Sequence, residues 1–135
     1  MFDIIAIDWG TKRCGLALGD TKSLISLPYS KPLFSEDLES IVNEILSDNT
    51  GIKLILFGIP SNAKNGETQT SNKIKTVVEQ FKTRFNCEII TIDERFSTKD
   101  ATSLLKDSNG QTPNKHDINH ISAHVLLMKY LETQN

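Results

Sequence analysis

The chain opens on a strand that ends in a carboxylate and is answered, six residues later, by a second strand. Ile4, Ile5 and Ile7 are apolar and β-branched, Asp8 closes the run, and Gly10-Thr11 make a turn. Residues 15–18 then resume an apolar strand. A β-branched run of this kind suits a buried strand, and the glycine allows the backbone to come close to a ligand. A carboxylate at the end of such a strand is placed to hold a cation or to face a phosphate. On its own the pattern is equally well explained as a hairpin whose aspartate caps the turn.

The remaining pattern extends this hairpin into an α/β fold. Residues 23–27 read as a third short strand stopped by Pro28, and Pro32 marks a loop. Ser35 is placed to cap a helix in which Leu38, Ile41, Val42, Ile45 and Leu46 recur at helical spacing and which Gly51 ends. Residues 52–57 form a continuous apolar strand, the signature of a sheet covered on both faces, stopped by Gly58-Ile59-Pro60. A polar loop follows over 61–66, then a helix over 70–85 carrying Ile74, Val77, Val78 and Phe81. Residues 87–92 are a fifth strand with Asp93-Glu94-Arg95 at its end.

Ser97 or Thr98 is placed to cap a short helix bearing Ala101, Leu104 and Leu105. Residues 106–115 lack periodicity and read as a mobile loop. A last helix over 118–132 is expected to bury Ile121, Val125 and Met128, with Leu127 or Leu131. The order predicts one domain over residues 1–135: a five-stranded mixed sheet, order 3-2-1-4-5, with helices on both faces.

Composition narrows the function classes. Hydrophobic residues make up 38% and charged residues 24% of the 135, ordinary for a globular domain. No apolar run reaches the ~20 residues of a membrane span, and the N-terminus lacks the basic segment of a signal peptide. A cytoplasmic protein with no membrane partner is expected. Cys14 and Cys87 fall in apparent strands and read as buried reduced thiols. A formal net charge of −2 argues against coating nucleic acid by bulk charge, but not against holding phosphates locally.

In a sheet of this order, Asp8 and Glu94 end strands two places apart, about 10 Å between backbones. Both lie at the carboxyl ends where ligands gather in open α/β sheets. Two such carboxylates can share a metal or bracket a metal pair. With a third oxygen ligand from the last helix they match the plan of metal-assisted phosphodiester cleavage.

The motifs resemble the YqgF family, whose members are described as Holliday-junction resolvases or pre-16S ribosomal RNA nucleases with an RNase H-like fold. The likeness rests on Ile7-Asp8-Trp9-Gly10-Thr11-Lys12-Arg13-Cys14-Gly15-Leu16-Ala17, on Phe57-Gly58-Ile59-Pro60-Ser61-Asn62 with Asn65-Gly66, on Asp93-Glu94-Arg95-Phe96-Ser97-Thr98, and on the closing stretch Ile118-Asn119-His120-Ile121-Ser122-Ala123. It implies a nuclease using Mg²⁺ or Mn²⁺, with catalytic and metal-binding roles for Asp8 and Glu94. The family's third acidic residue aligns with Asn119, and Asp117 lies two residues upstream. Either Asn119 serves as a weaker, uncharged ligand, or Asp117 reaches in from the loop, or the site is impaired. Asn119 is also simply a good N-cap.

Lys12, Arg13, Arg95 and Lys115 are the substrate-binding candidates, each able to meet a phosphate or to pair with a carboxylate. Lys64 and Lys99 fit a solvated surface as well as a backbone track. Trp9 is the aromatic nearest the site, and no stacking platform is evident. His116, His120 and His124 are spaced by four, so a zinc site and a proton-donating role for His120 stand beside the plainer reading of helix-face histidines.

The expected partner is nucleic acid: precursor 16S ribosomal RNA, with ribosomal particles, or branched DNA. The chain acts as a monomer or a weak homodimer. A non-catalytic RNA-binding module is the alternative from another class. A phosphate loop of the actin and hexokinase kind would need two such domains, and the chain reads as one.

Overall fold

A computed structural model describes residues 2–60, 69–94 and 115–133, with side chains described for 2–59, 72–92 and 118–133. The expected short helix after residue 97, the loops over 61–66 and 106–114, and Arg95, Lys64 and Lys99 lie outside the described residues.

Five strands form one sheet in the order β3-β2-β1-β4-β5. They are β1 (Ile4–Asp8), β2 (Gly15–Asp20), β3 (Ile25–Pro28), β4 (Leu54–Pro60) and β5 (Glu88–Glu94). β1 pairs antiparallel with β2 and parallel with β4; β3 is antiparallel to β2 and β5 parallel to β4. The helices are α1 (Leu38–Asp48), α2 (Gln69–Arg84) and α3 (Lys115–Thr133). The expected order and mixed character of the sheet are those observed.

Alternation along β1 splits the core into two layers. Ile5 and Ile7 join Leu16, Ile55 and Phe57 against Leu38, Val42 and Ile45 of α1 and Ile74, Val78 and Phe81 of α2. Ile4 and Ala6 face the other way, with Ala17 and Leu56, against Ala123, Leu126, Leu127 and Leu131 of α3.

Several local expectations are corrected. Asp20 accepts hydrogen bonds from Lys22 N and Ser23 Oγ, making a tight turn in which Leu24 takes φ 62°. The third strand therefore starts at Ile25. Ser35 does not cap α1; it opens a 3₁₀ turn, and its hydroxyl donates to Gly10 O instead. Strand β4 runs through Gly58 to Pro60, because its partner β5 continues in register to Glu94. Cys14 and Cys87 are free thiols just before strands rather than within them. Helix α3 starts at Lys115, so His116 and Asp117 belong to the helix. Its buried face is His120, Ser122, Ala123, Leu126, Leu127 and Leu131, whereas Met128 is exposed and Ile121 and Val125 are half-buried.

Candidate nuclease site

Asp8 is the last residue of β1 and stands between two glycines. Its cross-strand partners are Gly15 in β2 and Gly58 in β4, so no side chain crowds the carboxylate from either neighbouring strand. The row continues to Ile92, the partner of Gly58. Glu94 ends β5 two residues further on, paired with Pro60 and in phase with Ile90 and Ile92. Those two isoleucines pack on the α3 side of the sheet, the side that Ile4 and Ala6 also face.

On the β2 side, the space left by Gly15 is filled by the opening of α3. A Cβ on Gly15 would lie 1.7 Å from the backbone carbonyl oxygen of Asn119 and 3.0 Å from His120 N. Only glycine admits the helix this close. Asp8, the position of Glu94 and the first turns of α3 therefore gather at one end of the sheet. Asp117 lies two residues before Asn119, about 200° around the helix at 3.6 residues per turn, so the two positions do not share a face. The Asp8 carboxylate, and the amide type of side chain that Asn119 carries, are hard oxygen donors of the kind that Mg²⁺ and Mn²⁺ take; the Asn119 backbone, not its side chain, is what meets Gly15. Among the described residues no three His, Cys, Asp or Glu side chains cluster.

His120 holds α3 in place. It is 3% exposed, and both ring nitrogens meet backbone groups. Leu16 N donates to Nδ1 at 3.1 Å, and Nε2 lies 2.7 Å from Lys31 O. Because Nδ1 accepts, the proton sits on Nε2, which donates to Lys31 O. The ring thus satisfies a strand N–H that the short β3 leaves open. A role for His120 as a proton donor at the site, or as a helix-face histidine, is replaced by this structural one. His124 Nδ1 bonds Ser26 Oγ at 2.8 Å, and burial lowers its pKa below 6.5. With both His120 nitrogens bonded to backbone groups, His120 is not available for the i,i+4 zinc pairing with His124 that the spacing allowed.

The loop from Trp9 to Cys14 is built to hold its shape. A Cβ on Gly10 would sit 2.4 Å from Arg13 O. The loop is tied to residues 33–35 by Cys14 N donating to Leu33 O at 3.0 Å and Ser35 N to Lys12 O at 2.8 Å. Ser35 Oγ adds a bond to Gly10 O at 2.5 Å and lies 3.4 Å from Cys14 Sγ. Burial pushes the Cys14 thiol up, opposed by its bonds to Ser35 and to the Gly10 backbone, while the Asp8 charge adds to the rise. Trp9 is core rather than an exposed aromatic, packed in the α1/α2 layer.

Of the basic candidates, Lys12 is exposed and Arg13 half-buried. The Arg13 guanidinium lies over the ring of Phe34, 5.8 Å from its centroid. Lys115 is the first residue of α3. Sequence reasoning missed Phe34. Its ring reaches Arg13 only through an antiparallel bridge between positions 13 and 34, which no local signal announces.

A family model described as "RuvX: Holliday junction resolvase" matches residues 3–133. The chain belongs to the RuvX family. This is the YqgF-type membership that the four motifs implied. A Fusobacterium nucleatum protein named "Putative pre-16S rRNA nuclease" is 31% identical over 133 residues, covering 95% of each chain. A protein of the same name from Dictyoglomus turgidum is 30% identical, over 96% of this chain and 94% of that one. Among solved structures, Fowlpox virus resolvase in complex with Holliday junction DNA superposes with a TM-score of 0.60 over 98% of both chains at 15% identity, a likeness of fold. Membership places this RuvX chain among hydrolases of phosphodiester bonds.

Proposed function

We propose that this RuvX member cleaves the precursor of 16S ribosomal RNA in the cytoplasm, acting on ribosomal particles as a monomer or weak homodimer. The observation that carries the reading is the placement of Asp8 between Gly15 and Gly58, with the opening of α3 seated over Gly15 and β5 ending at Glu94. Asp8, Glu94 and Asn119 would hold Mg²⁺ or Mn²⁺. Held there, such an ion would supply activation of a water and neutralisation of charge on the leaving oxygen. Asp117 is the alternative acidic group, and because it lies about 200° around the helix from Asn119 only one of the two can face the metal; the approach of the Asn119 backbone to Gly15, beside Asp8, supports Asn119. Lys12 and Arg13, on the loop that follows Asp8, bind backbone phosphates beside the scissile bond, with Arg95 and Lys115 as further phosphate contacts.

A second reading, cleavage of branched DNA, is favoured by the family description. Labelled precursor fragments and a four-way junction, each incubated with Mg²⁺ or Mn²⁺, separate the two. Metal-dependent cleavage of RNA that vanishes in Asp8→Asn supports the first; cleavage of the junction alone supports the second. Binding of RNA without cleavage of either substrate overturns both and leaves a binding module. Asn119→Asp is expected to lower the metal concentration needed for half-maximal activity, since it adds a charge to the ligand set.

A further inference from the structure

The β1–β2 loop and the segment before α1 meet to form a small surface that joins the phosphate-binding candidates Lys12 and Arg13 to Phe34, a residue with no role in the reading above. Thr11, Lys12, Arg13, Phe34 and Glu36 line an open concavity of about 300 Å³. Phe34 is 42% exposed, unusual for a phenylalanine held between a buried Leu33 and a hydrogen-bonded Ser35. Arg13 and Phe34 are bridge partners and therefore lie side by side. Both lie close along the chain or by pairing to Asp8: Arg13 is on the loop between β1, which ends at Asp8, and β2, and Phe34 is bridged to it.

The ring and guanidinium are already in cation–π contact. The Arg13 Nε atom is buried with no hydrogen-bond partner among the described residues, which leaves a donor unspent. Two cations, Lys12 and Arg13, outnumber the single Glu36 on the wall. The backbone bond from Ser35 N to Lys12 O and the bridge to Arg13 fix the position of Phe34 independently of any ligand.

We propose that Phe34 and Arg13 form a stacking platform for an unpaired nucleobase of the substrate, next to the scissile position. This rests on the reading of Asp8 and its neighbours as a nucleic-acid site. An unpaired base offers a π face that lies against the ring–guanidinium pair. The flanking phosphates meet Lys12 and the Arg13 fork. A base inside a duplex is already stacked on both sides and cannot use the platform. The chain therefore selects strands that are single, bulged or frayed beside the cut.

The test uses the full chain carrying Asp8→Asn, so that probes stay intact. Fluorescence anisotropy measures its binding to single-stranded RNA, single-stranded DNA of the same sequence and blunt duplex RNA. Phe34→Ala is expected to weaken single-strand binding about 5- to 150-fold and to leave duplex binding unchanged. Phe34→Tyr keeps the affinity, and Phe34→Leu, which preserves bulk without a π face, loses it. Losses on RNA and DNA alike assign any unpaired base; losses confined to one assign that strand. A 5-iodouridine single strand should photocross-link to Phe34. Equal losses on single strand and duplex, no loss on either, or no single-strand binding by the Asp8→Asn parent overturn the platform. Cleavage is read separately. A chain that cuts nothing yet shows the Phe34→Ala loss keeps the platform and loses the nuclease reading; a chain that cuts and ignores Phe34→Ala does the reverse.

Discussion

The two faces of the sheet are packed by opposite means. Toward α1 and α2 the layer is bulky, with Phe57 and Phe81 edge to face at 5.2 Å and aliphatic side chains around them. Toward α3, strand β2 presents Gly15, Ala17 and Gly19, and the opening of the helix comes in on backbone contact at Gly15. Gly19 sits so close to Leu127 Cδ2 that a Cβ would be 2.8 Å away. The first face buries area and supplies stability; the second buries less side chain and fixes position. The difference teaches that stability and site geometry are set on separate layers, so substitutions should separate them.

The largest expected effect is on catalysis alone. Asp8→Asn should lower metal-dependent cleavage by about 10²–10³-fold or more, several kcal/mol of transition-state stabilisation. The melting temperature should hold, because Asp8 is only half-buried at a strand end. A melting temperature that falls with the activity would break the separation.

Next, Phe81→Ala should cost about 3–5 kcal/mol in denaturant unfolding and leave activity per folded molecule intact. Gly15→Ala should cost about 1–3 kcal/mol by overpacking and yet remove most activity, because α3 must back away from Asp8. Equal activity per folded molecule in the two variants would erase the distinction between the faces. His120→Ala should destabilise by about 1–3 kcal/mol for each of the two backbone groups it strands, Leu16 N–H and Lys31 C=O. His120→Gln recovers part of that loss.

The smallest effect is on pH. His124 has its pKa lowered by burial in the folded chain. Below about pH 6.5 the unfolded state takes up a proton that the folded state refuses. Stability from this group is therefore full above the unfolded pKa and declines as pH falls toward the folded one. Melting temperatures of His124→Gln should fall less steeply over that window than those of the parent, and an unchanged slope would remove His124 from the α3 layer's energetics.

Much of the architecture was legible in the residues. Runs such as 52–57 announce a strand covered on both faces, and the order of apolar strands and periodic helices led to the 3-2-1-4-5 sheet. The site was legible in part: Asp8 and Glu94 stand at strand ends because apolar runs stop there. The last helix was legible as a helix, and Leu127 and Leu131 are buried as expected, but the rest of its inner face was not legible. Its apolar residues include Ile121, Val125 and Met128, but where β2 offers Gly15 and Ala17 the helix is admitted closely, and the buried face carries His120, Ser122 and Ala123 together with Leu126, Leu127 and Leu131. Periodicity ranks faces by hydropathy and does not see what the partner surface can admit.

The sequence by itself determined the strands, their order and the carboxylate that ends β1, because those follow from local burial and turn chemistry. The tertiary structure alone decided that Asn119 closes over Gly15, that His120 completes the open edge of β2, and that Phe34 meets Arg13. Each of these joins residues 20 or more positions apart. Their contact depends on how closely two backbones approach, and no single segment of the chain carries that information.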